Sequence, residues 1–282
     1  MKKQKHEKER LRRGIYVLPN LFTTLNLFCG FFSIMAAING QFTKSALYIL
    51  AGMVFDTLDG KVARATRTTS QFGIEYDSLA DLISFGLAPG IMVYLWILAP
   101  FGKLGWLAAL LFLACGALRL ARFNTNINAT SSNHFTGLPI PAAAGTMAAI
   151  VLFSGKLGIA GPGINIYIAG VILGGMYALS FLMVSSIKYT SFKTMPPILV
   201  KAKHFNLLVT AVLLLIFIVQ EPVVAIFSLM ILYIVSGPLL FVRRLFGSSE
   251  VDEEEDEEAE EMFSGDDDFE STVMDHYTPY RS

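Results

Sequence analysis

Residues 56–81 read DTLDGKVARATRTTSQFGIEYDSLAD and hold five acids, Asp56, Asp59, Glu75, Asp77 and Asp81. Outside this stretch no acid occurs between Arg10 and Gln220, and the flanks are apolar. An ionisable side chain within a bilayer is costly, by about 3 kcal/mol or more, so a retained cluster marks a functional site.

Positions three or four apart share a helix face. Asp56 and Asp59 are three apart, and Gly60, Ala63, Arg64 and Arg67 continue down that side. Gly73, Asp77 and Asp81 recur at intervals of four on a second helix, which Ser70 is placed to cap. With the turn near residues 66–70, Asp59 and Asp77 each lie about eight residues from it, roughly 12 Å along the axis. Two antiparallel helices thus bring four carboxylates to one level. Glu75 falls off that face and reads as solvated charge.

Four carboxylates this close cannot all stay ionised without a counter-charge. An all-oxygen set suits one or two divalent cations, Mg²⁺ or Mn²⁺, which would recruit substrate phosphates to complete their shells. Gly60, Ala63 and Gly73 either let helices pack closely or leave room for a flat or phosphorylated ligand. The pattern leaves both open.

The rest of the chain reads as membrane. Of its 282 residues 54% are hydrophobic and 16% charged, against about a quarter charged in a soluble domain. Fourteen of the 23 acids lie in residues 250–270, too acidic to bury and expected to be a disordered tail. Taking about 20 apolar residues as one crossing, eight runs qualify: 18–39, 43–65, 71–98, 104–123, 138–154, 164–186, 205–220 and 222–242. With the N-terminus inside, inner segments hold 18 basic residues and outer ones only Lys44, Lys103 and Lys156. That bias predicts a multi-pass protein of the cell membrane with both termini cytoplasmic. The expected fold is an all-α polytopic membrane bundle: a basic segment 1–17, a transmembrane domain 18–245 and an acidic tail 246–282. Cys29 and Cys115 fall inside apolar runs and read as packing residues. Pro139 and Pro141 before AAAG predict an irregular start to a tightly packed helix. No nucleic-acid partner is expected.

The pattern Asp56-x2-Asp59-Gly60-x2-Ala63-Arg64-x8-Gly73-x3-Asp77-x3-Asp81 resembles the signature of the CDP-alcohol phosphatidyltransferases at every fixed position and spacing. The resemblance implies a six-span catalytic core, here with about two added C-terminal spans. It implies that Asp56, Asp59, Asp77 and Asp81 hold a pair of divalent metals on the pyrophosphate of a CDP-linked lipid. Asp81 would also serve as general base. Gly60 and Ala63 would make room for the cytidine, with Gly73 on the same face as the second pair of acids. Arg64 and Ser70 would contact the nucleotide-lipid. The family's Asn-x-x-Thr element corresponds to Asn20 and Thr23.

Further stretches, YVLPNLFTTLNLFCG at 16–30, SFGLAPG at 84–90, RLARFN at 119–124 and FTGLPIPAAA at 135–144, resemble the membrane-embedded, serine-accepting branch of bacteria and archaea. This implies transfer of a phosphatidyl group from CDP-diacylglycerol to L-serine with release of CMP, and a homodimer. A serine carboxylate needs a cation, for which Arg119 and Arg122 are the candidates, with Asn124 for its amino or hydroxyl group. Plain topology charge at a helix end is the alternative for the arginines. Two other readings stay open: a relative with a choline or glycerol-phosphate acceptor, and a cation- or proton-coupled transporter. The transporter would spread its acids over several spans at mid-membrane depth, whereas here they are confined to two.

Overall fold

The computed structural model describes residues 2–66, 70–126, 134–159, 165–190, 212 and 215–246. Most of the expected run 205–220, Arg67, His204, His276 and the acidic segment 250–270 lie outside the described residues. Two compact units divide at Pro238/Leu239. The first is a helical bundle; the described part of the second is the end of one helix.

The helices are α1 (Lys2–Ile38), α2 (Phe42–Thr66), α3 (Gln71–Phe101), α4 (Lys103–Asn126), α5 (Ile140–Lys156), α6 (Ile166–Val184) and α7 (Pro222–Phe246). Among the described residues, five stretches are long and apolar enough to cross a membrane: Leu18–Ile38, Gln71–Phe101, Lys103–Thr125, Ile166–Val184 and Pro222–Val242. The chain is therefore a polytopic membrane protein. Helix α2 spans a comparable length, but the charges it brings to the acidic stretch lower its hydropathy; α5 is apolar but shorter. One element lies outside the all-helical expectation. Strands β1 (His134–Thr136) and β2 (Lys188–Thr190) pair antiparallel, with Phe135 opposite Tyr189.

Small residues set the spacing near the site. Gly30 on α1 faces Ser84 on α3, whose Cα would lie 2.8 Å from a Cβ added there. Gly52 on α2 faces Asn26 on α1, whose Oδ1 would lie 2.9 Å from one. Such close approach is how helices gain contact inside a bilayer, where hydrophobic driving force is missing. The core gathers around α5: Ala143, Ala144 and Ala148 are fully buried, against Phe85, Phe112 and Met176 from α3, α4 and α6. Pro139 stands at the N-cap of α5, where a proline start leaves no amide unsatisfied.

Helix α3 is not uniform. Regular α-helix over Gln71–Asp81 gives way to a π-helical turn, Leu82–Leu87, directly after Asp81. Such turns change the phase of a helix and recur at functional sites. The shift coincides with Ser84, whose Oγ donates to the main-chain oxygen of Asn26 at 2.9 Å.

Candidate active site

Ser70 caps α3 as its position suggests: its Oγ accepts from the Gly73 amide at 3.0 Å. That start fixes the phase of the helix and turns Asp77 and Asp81 toward α2. Carboxylate oxygens of Asp56, Asp59 and Asp77 all lie within 4.8 Å of one another. Asp81 stands one turn deeper, 8% exposed, within electrostatic reach of Asp56 and Asp77.

Each of the inner two acids is held by α1. Thr23 Oγ1 lies 3.0 Å from Asp59 Oδ2 and 3.2 Å from the Pro19 carbonyl, so its one proton serves either acceptor. Asn26, fully buried, donates from Nδ2 to Asp81 Oδ1 at 2.9 Å. Asp77 Oδ1 is buried and has no hydrogen-bond donor among the described residues. Three carboxylates on two helices, one with an orphaned oxygen, form a donor set fitted to a hard divalent cation.

Beside the acids opens a cleft of about 160 Å³. Asn20 and Thr23 of α1, Gly60, Ala63 and Arg64 of α2, and Ser70 and Gly73 at the start of α3 all line it, as do Asp59 and Asp77. The structure thus brings together every residue singled out for contact with the nucleotide-lipid. It also separates the two roles left open for the glycines. A Cβ on Gly60 would meet only the Arg64 guanidinium, at 3.5 Å, and one on Gly73 only Ser70 Oγ at 3.2 Å and Asn20 Oδ1 at 3.5 Å. These glycines face the cleft, while Gly30 and Gly52 carry the helix packing.

The three residues put forward for the acceptor face different neighbours. Arg119 turns inward, with Asp81 and Tyr233 within its electrostatic reach, and its Nε is buried without a hydrogen-bond partner among the described residues. Arg122 is exposed and donates from Nη2 to the Val184 carbonyl at 3.2 Å. Asn124 Nδ2 donates to Ser78 Oγ at 2.9 Å and to Glu75 Oε2 at 3.4 Å. Glu75 Oε1 accepts from Gln71 Nε2 at 2.9 Å, so this acid serves the outer face of α3.

Asn26 is the site residue that reading the sequence missed. Its signal was present, since Asn20, Thr23 and Asn26 form a polar stripe at intervals of three in an otherwise apolar span. Tyr76, whose hydroxyl lies 3.0 Å from Thr24 Oγ1, adds a further tie between α1 and α3.

The profile of the family described as CDP-alcohol phosphatidyltransferase matches residues 16–181. The chain is 38% identical over 234 residues to a Helicobacter pylori protein named CDP-diacylglycerol–serine O-phosphatidyltransferase, covering 82% of this chain and 92% of that one. A Bacillus subtilis protein of the same name is 35% identical over 176 residues, 62% of this chain and 91% of that one. Archaetidylserine synthase of Methanothermobacter thermautotrophicus is 38% identical over 174 residues, 61% and 69% of the two chains. A matched segment that runs from α1 into α6 and encloses both the acidic cluster and its cleft makes the chain a member of the CDP-alcohol phosphatidyltransferase family.

Proposed function

We propose that this protein transfers the phosphatidyl group of CDP-diacylglycerol to the hydroxyl of L-serine, releasing CMP and forming phosphatidylserine. One observation carries the reading: three acids with converging oxygens stand beside a cleft lined by every residue expected to touch a CDP-linked lipid. Serine as acceptor is supported by the names of these relatives, two serine O-phosphatidyltransferases and one archaetidylserine synthase.

In this reading Asp56, Asp59 and Asp77, with Asp81 below them, would hold two divalent ions, Mg²⁺ or Mn²⁺. When bound, such ions neutralise the pyrophosphate and stabilise the departing phosphate of CMP. The protein's own residues do the rest. Asn20, Ser70 and the open faces of Gly60 and Gly73 seat the nucleotide, and Arg64 supplies a cation at the rim of the cleft. Thr23 steadies Asp59. Asp81 takes the proton of the serine hydroxyl as that oxygen attacks the phosphorus bonded to the diacylglycerol, and Asn26 fixes which carboxylate oxygen is free to do so.

The charge bias of 18 basic residues against three supports a reading in which the mouth of the cleft and both termini face the cytoplasm across the cell membrane. The working assembly is taken as a homodimer on the family resemblance. The test is purified protein with CDP-diacylglycerol and Mn²⁺ or Mg²⁺, offered radiolabelled serine, glycerol 3-phosphate, inositol phosphate or choline separately. Labelled lipid is expected with serine alone; labelled lipid with another alcohol instead moves the acceptor assignment.

A further inference from the structure

One wall of the cleft is a single turn of α1, from which Pro19, Asn20 and Thr23 line it. That turn is loosely built. Pro19 lies inside the helix and has no amide hydrogen, so one main-chain hydrogen bond is lost there. The Thr23 and Thr24 hydroxyls reach back to the Pro19 and Asn20 carbonyls, at 3.2 Å and 2.7 Å. Such back-bonding weakens and bends helices. A wall of this kind keeps Asn20 in one place only if something outside α1 braces it.

Tyr76 of α3 is placed to do so, its hydroxyl 3.0 Å from Thr24 Oγ1. Thr24 has one hydroxyl proton, and the Asn20 carbonyl can only accept, so that proton goes to Asn20. The Tyr76 hydroxyl is therefore the donor to Thr24, and the two bonds run in one direction, from Tyr76 through Thr24 to the main chain of Asn20. The tyrosine ring is itself held. Phe72, one turn back on α3, stacks on it with ring centroids 5.9 Å apart and planes 14° from parallel. Three residues before Tyr76, Gly73 lines the opposite wall of the cleft. A Cβ there would stand 3.5 Å from Asn20 Oδ1, so the two walls face each other closely at this level.

We propose that Tyr76 is a positioning residue for the nucleotide-lipid: acting through Thr24, it fixes the Pro19–Thr24 turn of α1 and with it the width of the cleft between Asn20 and Gly73. This rests on the CDP-diacylglycerol reading above. Tyr76 is not among the residues that line the cleft, and its hydroxyl is committed to Thr24. Its effect on the donor is therefore indirect, carried by two hydrogen bonds that can each be removed by a substitution of nearly unchanged shape.

The test uses the full-length protein as wild type and as Tyr76→Phe, Thr24→Val, Thr24→Ser and the double variant Tyr76→Phe/Thr24→Val. For each, KM for CDP-diacylglycerol and KM for L-serine are measured. Tyr76→Phe keeps the ring on Phe72 and removes only the hydroxyl. It is expected to raise the donor KM about fivefold, the scale of one hydrogen bond, and to leave the serine KM within about twofold. Thr24→Val should raise the donor KM at least as far, and adding Tyr76→Phe to it should raise it no further, because the two residues act in one chain. Thr24→Ser keeps the hydroxyl and should keep the low donor KM. A wild-type donor KM in Tyr76→Phe would overturn the proposal, as would a double variant whose effect is the product of the single ones, or a Thr24→Ser as impaired as Thr24→Val. Equal rises in both KM values would also overturn it, since they would mark a general loosening of the bundle. A wild-type protein that consumes no CDP-diacylglycerol with any alcohol would overturn the donor reading itself, and the role of Tyr76 with it.

Discussion

Asp81 is held differently from the other three aspartates. Asp56, Asp59 and Asp77 converge on one another, whereas Asp81 sits deeper and has one oxygen pinned by Asn26. The first group suits cation binding, and the second suits a carboxylate that must present a chosen oxygen to a proton. Replacing Asp56 or Asp77 by Asn removes a charge with little change of shape. Activity should fall about a hundredfold or more, the scale of losing one main electrostatic contact, read as labelled lipid formed per minute. Asn26→Leu should cost about tenfold to a hundredfold, as the loss of an orienting partner does, with the KM for CDP-diacylglycerol little changed. A rise confined to that KM would instead place Asn26 in donor binding. The aspartates were legible because their spacing fixes helix phase. The arginines were not: Arg119 and Arg122 share an interval of three, yet the first has its Nε buried and the second is exposed and reaches the end of α6. Spacing relates residues on one helix to each other and says nothing of which neighbour that helix meets.

At the level of elements, glycine positions divide into those that let helices approach and those that leave a cleft open. A Cβ on Gly30 would come within 2.8 Å of the Ser84 main chain, which cannot move aside as a flexible side chain could. Gly30→Ala should therefore force α1 and α3 apart, costing about 1–3 kcal/mol, seen as a lower melting temperature in detergent and lower activity. Gly60→Ala meets only the Arg64 guanidinium. It should leave the melting temperature unchanged and raise the KM for CDP-diacylglycerol severalfold. Equal thermal losses in both variants would contradict this division. The sequence allowed either role for Gly60 and Gly73, because a small residue on a helix face looks the same whether a helix or a ligand stands opposite. The π-helical turn after Asp81 and the β1–β2 pairing had no legible signal. Both depend on what α3 and the two connecting segments meet in three dimensions.

For the whole molecule, the contacts of α5 order the chain. Its start lies by the end of α6, since the Leu138 amide donates to the Leu182 carbonyl at 3.0 Å, while its far end holds Glu221. The chain thus changes ends between Val184 and Glu221. With that change, the charge bias leads to the expectation that both termini lie inside. A cysteine at Ser282, with Cys29 and Cys115 replaced by serine, should react with an impermeant maleimide only after the cells are opened. One at Gly40, in the turn between α1 and α2, should react in intact cells. Reaction of Ser282→Cys in intact cells would contradict the topology. Hydropathy and charge made the bundle legible, whereas contacts between residues far apart in the chain, such as the stacking of Phe227 on Phe153, were not.

Transfer of a phosphatidyl group from a cytidine nucleotide to serine at this acidic site leaves a trace in the fate of one phosphorus atom. The experiment is CDP-diacylglycerol labelled on the phosphorus attached to the diacylglycerol, incubated with L-serine, Mn²⁺ and either wild-type protein or Asp77→Asn. The label should pass into phosphatidylserine with one CMP released per lipid formed, and the variant should leave it in CDP-diacylglycerol. Label recovered as phosphatidic acid despite saturating serine, or undiminished transfer by Asp77→Asn, would contradict the account.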